Sequence, residues 1–131
     1  MKRNQKIIVL WLMTMGGLAC HTLTDLLPMF WGESIVIADG PAPQAMLVMM
    51  ASLAYLLPVC GILCLIGDKP ARPLRLTNAV LACIIALFNV VHACMELPAD
   101  NYGQYIVMPL LVVVGALLVW HSVMLAKREE A

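Results

Sequence analysis

Long uncharged stretches dominate the chain, and charged residues interrupt them only at wide intervals. The four longest stretches hold 18, 28, 20 and 26 residues, and they follow Lys6, Asp39, Arg75 and Asp100. A membrane-spanning helix needs about 20 predominantly apolar residues, whereas the strands of a transmembrane barrel would alternate in polarity over about 10. The pattern therefore predicts four transmembrane helices, an outer loop and a cytoplasmic loop. The predicted helices cover about 7–30, 44–66, 76–97 and 104–126, with the loops at 31–43 and 67–75.

Composition agrees with a membrane protein. Of the 131 residues, 63% are hydrophobic and 12% are charged, whereas soluble domains are about half apolar and a quarter charged. A soluble chain this small could not bury so much apolar surface. Short links make consecutive helices antiparallel, so we expect residues 1–131 to form a single all-α domain, an integral membrane four-helix up-down bundle. The net charge of zero gives no indication of a nucleic-acid partner.

The basic residues predict an orientation in the bilayer. They form three groups: Lys2, Arg3 and Lys6; Lys69, Arg72 and Arg75; Lys127 and Arg128. The two remaining loops carry acidic charges only. The positive-inside rule then places both termini and the loop at 67–75 in the cytoplasm, an arrangement that suits a bacterial inner membrane. The N-terminal segment resembles a secretory signal, but three further spans follow it, so we interpret it as a true first helix.

Two segments share one pattern near the outer ends of the first and third predicted helices. HTLTDLLP begins at His21 and HACMELP begins at His92, and each contains a His, three residues, an acid, Leu and then Pro. Counted from the last basic residue before each helix, the positions of the two histidines differ by two residues. At about 1.5 Å per helical residue, the histidines therefore differ in depth by only ~3 Å. The pattern suggests a pseudo-twofold repeat of two helical hairpins, and parallel repeats of this kind occur in transporters.

The shared pattern puts a His and a carboxylate on one face of each of these two helices. Residues four apart share a helix face, which pairs His21 with Asp25 and His92 with Glu96. A charged carboxylate that faces lipid is costly, so we expect all four side chains to converge on the bundle axis. The polar side chains predicted to surround them are Asn89, Thr24 and Tyr55.

Imidazole and carboxylate ligands suit Zn²⁺ and other divalent transition metals, and four ligands allow a tetrahedral site. The paired H-x-x-x-D and H-x-x-x-E also resemble the transport site of cation diffusion facilitators, zinc transporters with His and Asp four apart on two helices. That resemblance, over about ten residues, implies that His21, Asp25 and His92 are ligands; Glu96 stands where the family has Asp. Those transporters have more helices and a cytoplasmic domain. We therefore predict a site for a metal or another small cation, moved or sensed with proton exchange.

Other interpretations stay open. The four residues can be interfacial groups that hold the helices together. The protein can be a non-catalytic accessory subunit, as a homo-oligomer or within a larger membrane complex, whose outer loop 31–43 docks a partner. It can be a membrane enzyme that applies acid–base chemistry to a lipophilic substrate, or a b-type haem protein with His21 and His92 as axial ligands. The five cysteines, all within spans, are interpreted as small buried hydrophobes.

Overall fold

The structure is a computed structural model that describes residues 1–35, 42–67, 69–98 and 100–127. This part of the chain forms helices joined by turns. Each of the four helices is long and apolar enough to cross a membrane, which confirms the predicted number of spans. Their bounds are α1 at Arg3–Leu26, α2 at Pro43–Leu63, α3 at Arg72–Glu96 and α4 at Gln104–Ala126.

Prolines explain where α1 ends and where α3 begins and ends. After α1, the chain continues as a short 3-10 helix over Leu27–Trp31 with a proline in its first turn. α3 begins at Arg72 rather than near 76, because Pro73 lies in its first turn, where no backbone N–H is needed. It ends at Glu96 because Leu97, which precedes Pro98, is extended with φ −106° and ψ 132°. The predicted outer loop includes residues 36–41, which lie outside the described residues.

α2 contains an irregular turn in its middle. Ser52–Leu56 is wound as a π-helix, and the Leu57 N–H bonds to the Ser52 carbonyl five residues earlier. Pro58 follows directly. Proline has no N–H and its ring crowds the carbonyl four residues before it, so the wider turn fits the proline into the span.

The outside of the bundle is apolar, unlike that of a soluble protein, and its interior contains both apolar and polar side chains. Large apolar side chains lie on the outside; Leu12 and Val80, for example, are 53% and 59% exposed. Polar side chains lie inside, where the indole Nε1 of Trp11 donates to Asn78 Oδ1 at 2.8 Å and Asn78 Nδ2 donates to Ser122 Oγ at 2.9 Å. Hydrocarbon suits such a surface and requires that polar groups be paired internally. This distribution supports a multi-pass membrane protein.

The cysteines differ from the prediction that they are buried. Cys20, Cys83 and Cys94 are exposed on the outside of the bundle, and Cys60 and Cys64 are half-buried. A thiol behaves as a small apolar group, so facing lipid would cost it little.

Helix packing places α1 and α3 diagonally. α1 packs against α2 and α4, and α3 packs against the same two helices. α2 approaches α1 closely at Gly61, where an added Cβ would lie 2.4 Å from an indole carbon of Trp11. Side chains of α1 and α3 can therefore meet on the axis of the bundle.

Candidate metal site

The last turns of α1 and α3 bring the two predicted histidines into direct contact. The Nε2 atoms of His21 and His92 are 3.0 Å apart, and the ring centroids are 4.8 Å apart at an interplanar angle of 86°. His21 is only 5% exposed, and His92 is half-buried. Two imidazole ligands of a tetrahedral Zn²⁺ with Zn–N bonds near 2.0–2.1 Å have their nitrogens about 3.3 Å apart. The observed separation is therefore close to that of a ligand pair.

Glu96, the last residue of α3, brings a third ligand atom to the pair. One ligand atom each from His21, His92 and Glu96 lie within 4.8 Å of one another. Glu96 reaches this position because it follows His92 by one helical turn on the same face. The three side chains are near enough to hold one metal ion, as predicted, and a set of two nitrogens and one oxygen suits Zn²⁺, Mn²⁺ or Fe²⁺.

Asp25, the fourth predicted ligand, approaches His21 from its own helix. Its Oδ2 lies 3.4 Å from His21 Nε2, and its side chain is 45% exposed. The group within 4.8 Å comprises the two histidines and Glu96, without Asp25. Ligation by Asp25 therefore stays a prediction, with its carboxylate at the exposed edge of the cluster.

Gln104, the first residue of α4, belongs to the cluster although we did not predict it from the sequence. It is 1% exposed, and its Oε1 lies 2.9 Å from His21 Nδ1. Its Nε2 donates to Asp25 Oδ1 and, at 3.4 Å, to the backbone carbonyl of His21. Because these two partners only accept hydrogen bonds, the amide nitrogen must face them and Oε1 must face His21. His21 then carries its proton on Nδ1.

This tautomer leaves an unshared electron pair on His21 Nε2. The nitrogen faces the Asp25 carboxylate at 3.4 Å and His92 Nε2 at 3.0 Å. Without metal, the hydrogen bond between the two Nε2 atoms satisfies this lone pair. A bound cation would take the place of the proton in that hydrogen bond. The geometry therefore gathers electron-rich atoms around one point.

The neighbours of the cluster differ from those predicted. Phe88 stacks on His92 with ring centroids 5.2 Å apart and thereby orients that imidazole. Asn89 is buried and donates to a backbone carbonyl of α4, while the Thr24 hydroxyl donates to the backbone of its own helix. Tyr55 is 65% exposed on α2. Within the described part of the chain, no hydrogen bond joins these three to the four predicted ligands.

Haem ligation does not fit the contact between the histidines. Axial ligands bind the iron from opposite faces of the macrocycle, so the macrocycle must lie between them. Here the rings of His21 and His92 touch edge to face, with centroids 4.8 Å apart. This arrangement leaves no room for a macrocycle between them.

Comparison with known proteins found no matching protein-family model, no matching curated protein and no matching solved structure.

Proposed function

We propose that this protein binds a divalent transition metal ion, with Zn²⁺ the first candidate, near one end of an up-down membrane bundle. His21, His92 and Glu96 would be ligands, and Asp25 would complete a tetrahedral set. The observation that carries the proposal is the convergence of three ligand atoms within 4.8 Å, from helices far apart in sequence. If the basic residues face the cytoplasm, the site lies in the outer half of the membrane.

The hydrogen bond from His21 to Gln104 supports this proposal. A metal-binding histidine usually donates its second ring N–H to a carbonyl or carboxylate, which fixes the tautomer and the ring orientation. Oε1 of Gln104 accepts in this way from His21 Nδ1 at 2.9 Å. His21 thus presents Nε2 to the site before any metal arrives, so metal binding would need little reorganisation.

Access to the site supports binding from the outer end. Leu18, Ile85 and Leu111 are buried and lie one to two turns further in on α1, α3 and α4. These apolar side chains and the buried Asn89 lie below the histidines, whereas the Asp25 carboxylate is partly exposed. A metal entering there would displace the proton between the imidazoles, because ligands must be deprotonated. The closed axis favours sensing or holding the ion; transport would require the bundle to open.

Metal analysis of the purified full chain tests the proposal. The protein is prepared in mild detergent with Zn²⁺ supplied, as wild type, as His92→Ala and as the matched control His121→Ala, which removes the histidine near the other end of α4. We expect about one Zn²⁺ per chain in the wild type and in H121A, and loss of most of it in H92A. Equal metal content in H92A and wild type, or none in any of the three, would contradict the proposal.

The contact between the imidazoles also favours a second function, acid–base chemistry on a lipophilic substrate. Nitrogen atoms 3.0 Å apart can share a proton, and a His–carboxylate pair can pass one to a reacting group. This function predicts a protein that purifies without metal under the same conditions. An accessory role predicts a partner that co-purifies equally with wild type and H92A.

A further inference from the structure

A second polar region lies at the opposite end of the bundle from the metal site, where α1 begins and α4 ends. A cavity of about 600 Å³ opens there, lined by Met1, Arg3, Lys6, His121, Met124 and Lys127. We call it the basic cavity. Among the residues that the structure describes, no carboxylate lines it. Three cationic side chains therefore surround one volume, and no acidic side chain of the described residues lies in its wall.

The wall of the basic cavity presents hydrogen-bond donors. Arg3 uses Nη1 to bond to the Met124 carbonyl at 3.2 Å, which ties α1 to α4 and fixes the guanidinium at the rim. A guanidinium has five N–H donors, so others stay available. Lys6 and Lys127 are exposed. Nδ1 of His121 is buried and has no hydrogen-bond partner among the described residues.

The position of the cavity indicates where its ligand would come from. It lies at the ends of two membrane-spanning helices, the level at which phospholipid headgroups meet the protein. Trp120, next to His121, is 65% exposed, as expected of an aromatic residue at the membrane interface. Met1 and Met124 add apolar wall beside the cations. Charge and apolar surface together match a headgroup phosphate and the chain attached to it.

We propose that the basic cavity binds a phosphate group, and that the headgroup of an anionic phospholipid supplies it. Arg and Lys bind phosphate oxygens through charge-assisted hydrogen bonds. Basic pockets between membrane helices on the cytoplasmic side bind anionic headgroups for this reason. Inorganic phosphate shares this chemistry but lacks the apolar part. The site is separate from the metal site and does not depend on it.

Native mass spectrometry of the full chain in mild detergent, titrated with phosphatidylglycerol or phosphatidylcholine, tests this proposal. We expect phosphatidylglycerol to bind at least about tenfold more tightly than phosphatidylcholine. Each nearby Lys or Arg contributes about fivefold, and three of them line the cavity. Lys6→Gln/Lys127→Gln should weaken phosphatidylglycerol binding by about 30-fold. The control Lys69→Gln/Arg72→Gln removes the same charge from exposed positions outside the cavity, and we expect a change below about threefold. The charge-preserving Lys6→Arg/Lys127→Arg should stay near wild type.

A further titration with inorganic phosphate identifies the source of the phosphate group. If the lipid is the ligand, millimolar phosphate should leave phosphatidylglycerol bound. Binding of inorganic phosphate without phosphatidylglycerol would overturn the lipid assignment. Equal affinity for the two lipids would overturn the proposal, because the cations would then not recognise the anionic headgroup. Equal losses in the cavity pair and the control pair would overturn the site itself, because binding would then be diffuse surface attraction.

Discussion

At the scale of single residues, His21 is the centre of the proposed site because it contacts groups from three helices. It bonds to Gln104 on α4, touches His92 on α3 and lies one turn from Asp25 on α1. Each contact constrains the same imidazole. Gln104 accepts a hydrogen bond from Nδ1, and the other two residues place a nitrogen and a carboxylate beside Nε2.

Gln104→Leu should lower the Zn²⁺ affinity by about 10- to 100-fold, because loss of an outer-shell partner of a ligand histidine has that effect. The His21 tautomer would no longer be fixed, and Asp25 would lose its amide donor. A competition titration with a chromophoric chelator measures the affinity. Gln44→Leu, an exposed glutamine in the first turn of α2, is the matched control and should bind Zn²⁺ like the wild type. Equal affinities in the two variants would show that Gln104 does not position His21.

Local spacing in the sequence indicated part of this site. The i,i+4 rule was enough to pair His92 with Glu96 and His21 with Asp25. Gln104 could not be found in this way, because its role depends on how α4 is aligned against α1. A glutamine in the first turn of an otherwise apolar helix was the available signal. The same limit explains Phe88, whose stacking on His92 is a matter of rotamer and packing.

At the scale of helices, the sequence predicted element number and length better than their ends. α4 occupies Gln104–Ala126, the predicted residues. α3 starts earlier than predicted because Pro73 suits a first turn, and α1 gives way to a 3-10 turn at Leu27. Hydropathy marks the apolar middle of a span, while caps and prolines determine its ends. The close approach of α2 to α1 at Gly61 could be found only from the structure.

Gly61→Ala should destabilise the protein by about 1–3 kcal/mol, the usual effect of overpacking. The new methyl group would collide with the Trp11 indole and disturb its hydrogen bond to Asn78. Gly16→Ala, within α1, is the control, since no neighbouring atom of the described residues lies within 4 Å of a Cβ added there. Thermal unfolding in detergent should show G61A below the wild type and G16A at or above it, because alanine favours helix. If G61A unfolded no earlier than G16A, the packing of α2 on α1 would be refuted.

At the scale of the whole molecule, the two proposed sites lie at opposite ends of one bundle. The metal site lies where α1 and α3 end, and the basic cavity lies where α1 begins and α4 ends. Between them, apolar side chains such as Leu18 and Leu118 pack around the hydrogen-bonded Asn78 and Ser122. Each site joins helices that are distant in sequence. Ligands at either end would therefore stabilise the bundle as a whole.

Zn²⁺ at 100 times its Kd should raise the stability of the bundle by about 2.7 kcal/mol. The stabilisation should be present near pH 7.5 and should be smaller near about pH 5.5, because protons compete with the metal for its ligands. Thermal unfolding with and without Zn²⁺ at both pH values measures the difference, and His92→Ala should show no rise at either pH. A rise that is the same in H92A, or that does not change with pH, would count against binding at the histidines.

X-ray absorption at the zinc edge, on protein loaded with one equivalent of Zn²⁺, tests the central claim most directly. Binding at His21, His92 and Glu96 predicts nitrogen and oxygen neighbours at about 2.0–2.1 Å, with the outer scattering of imidazole rings. That imidazole scattering should be reduced in His92→Ala, which keeps His21, and unchanged in His121→Ala. A shell near 2.3 Å would instead mean thiolate ligation, as at Cys60 and Cys64, and would contradict the account.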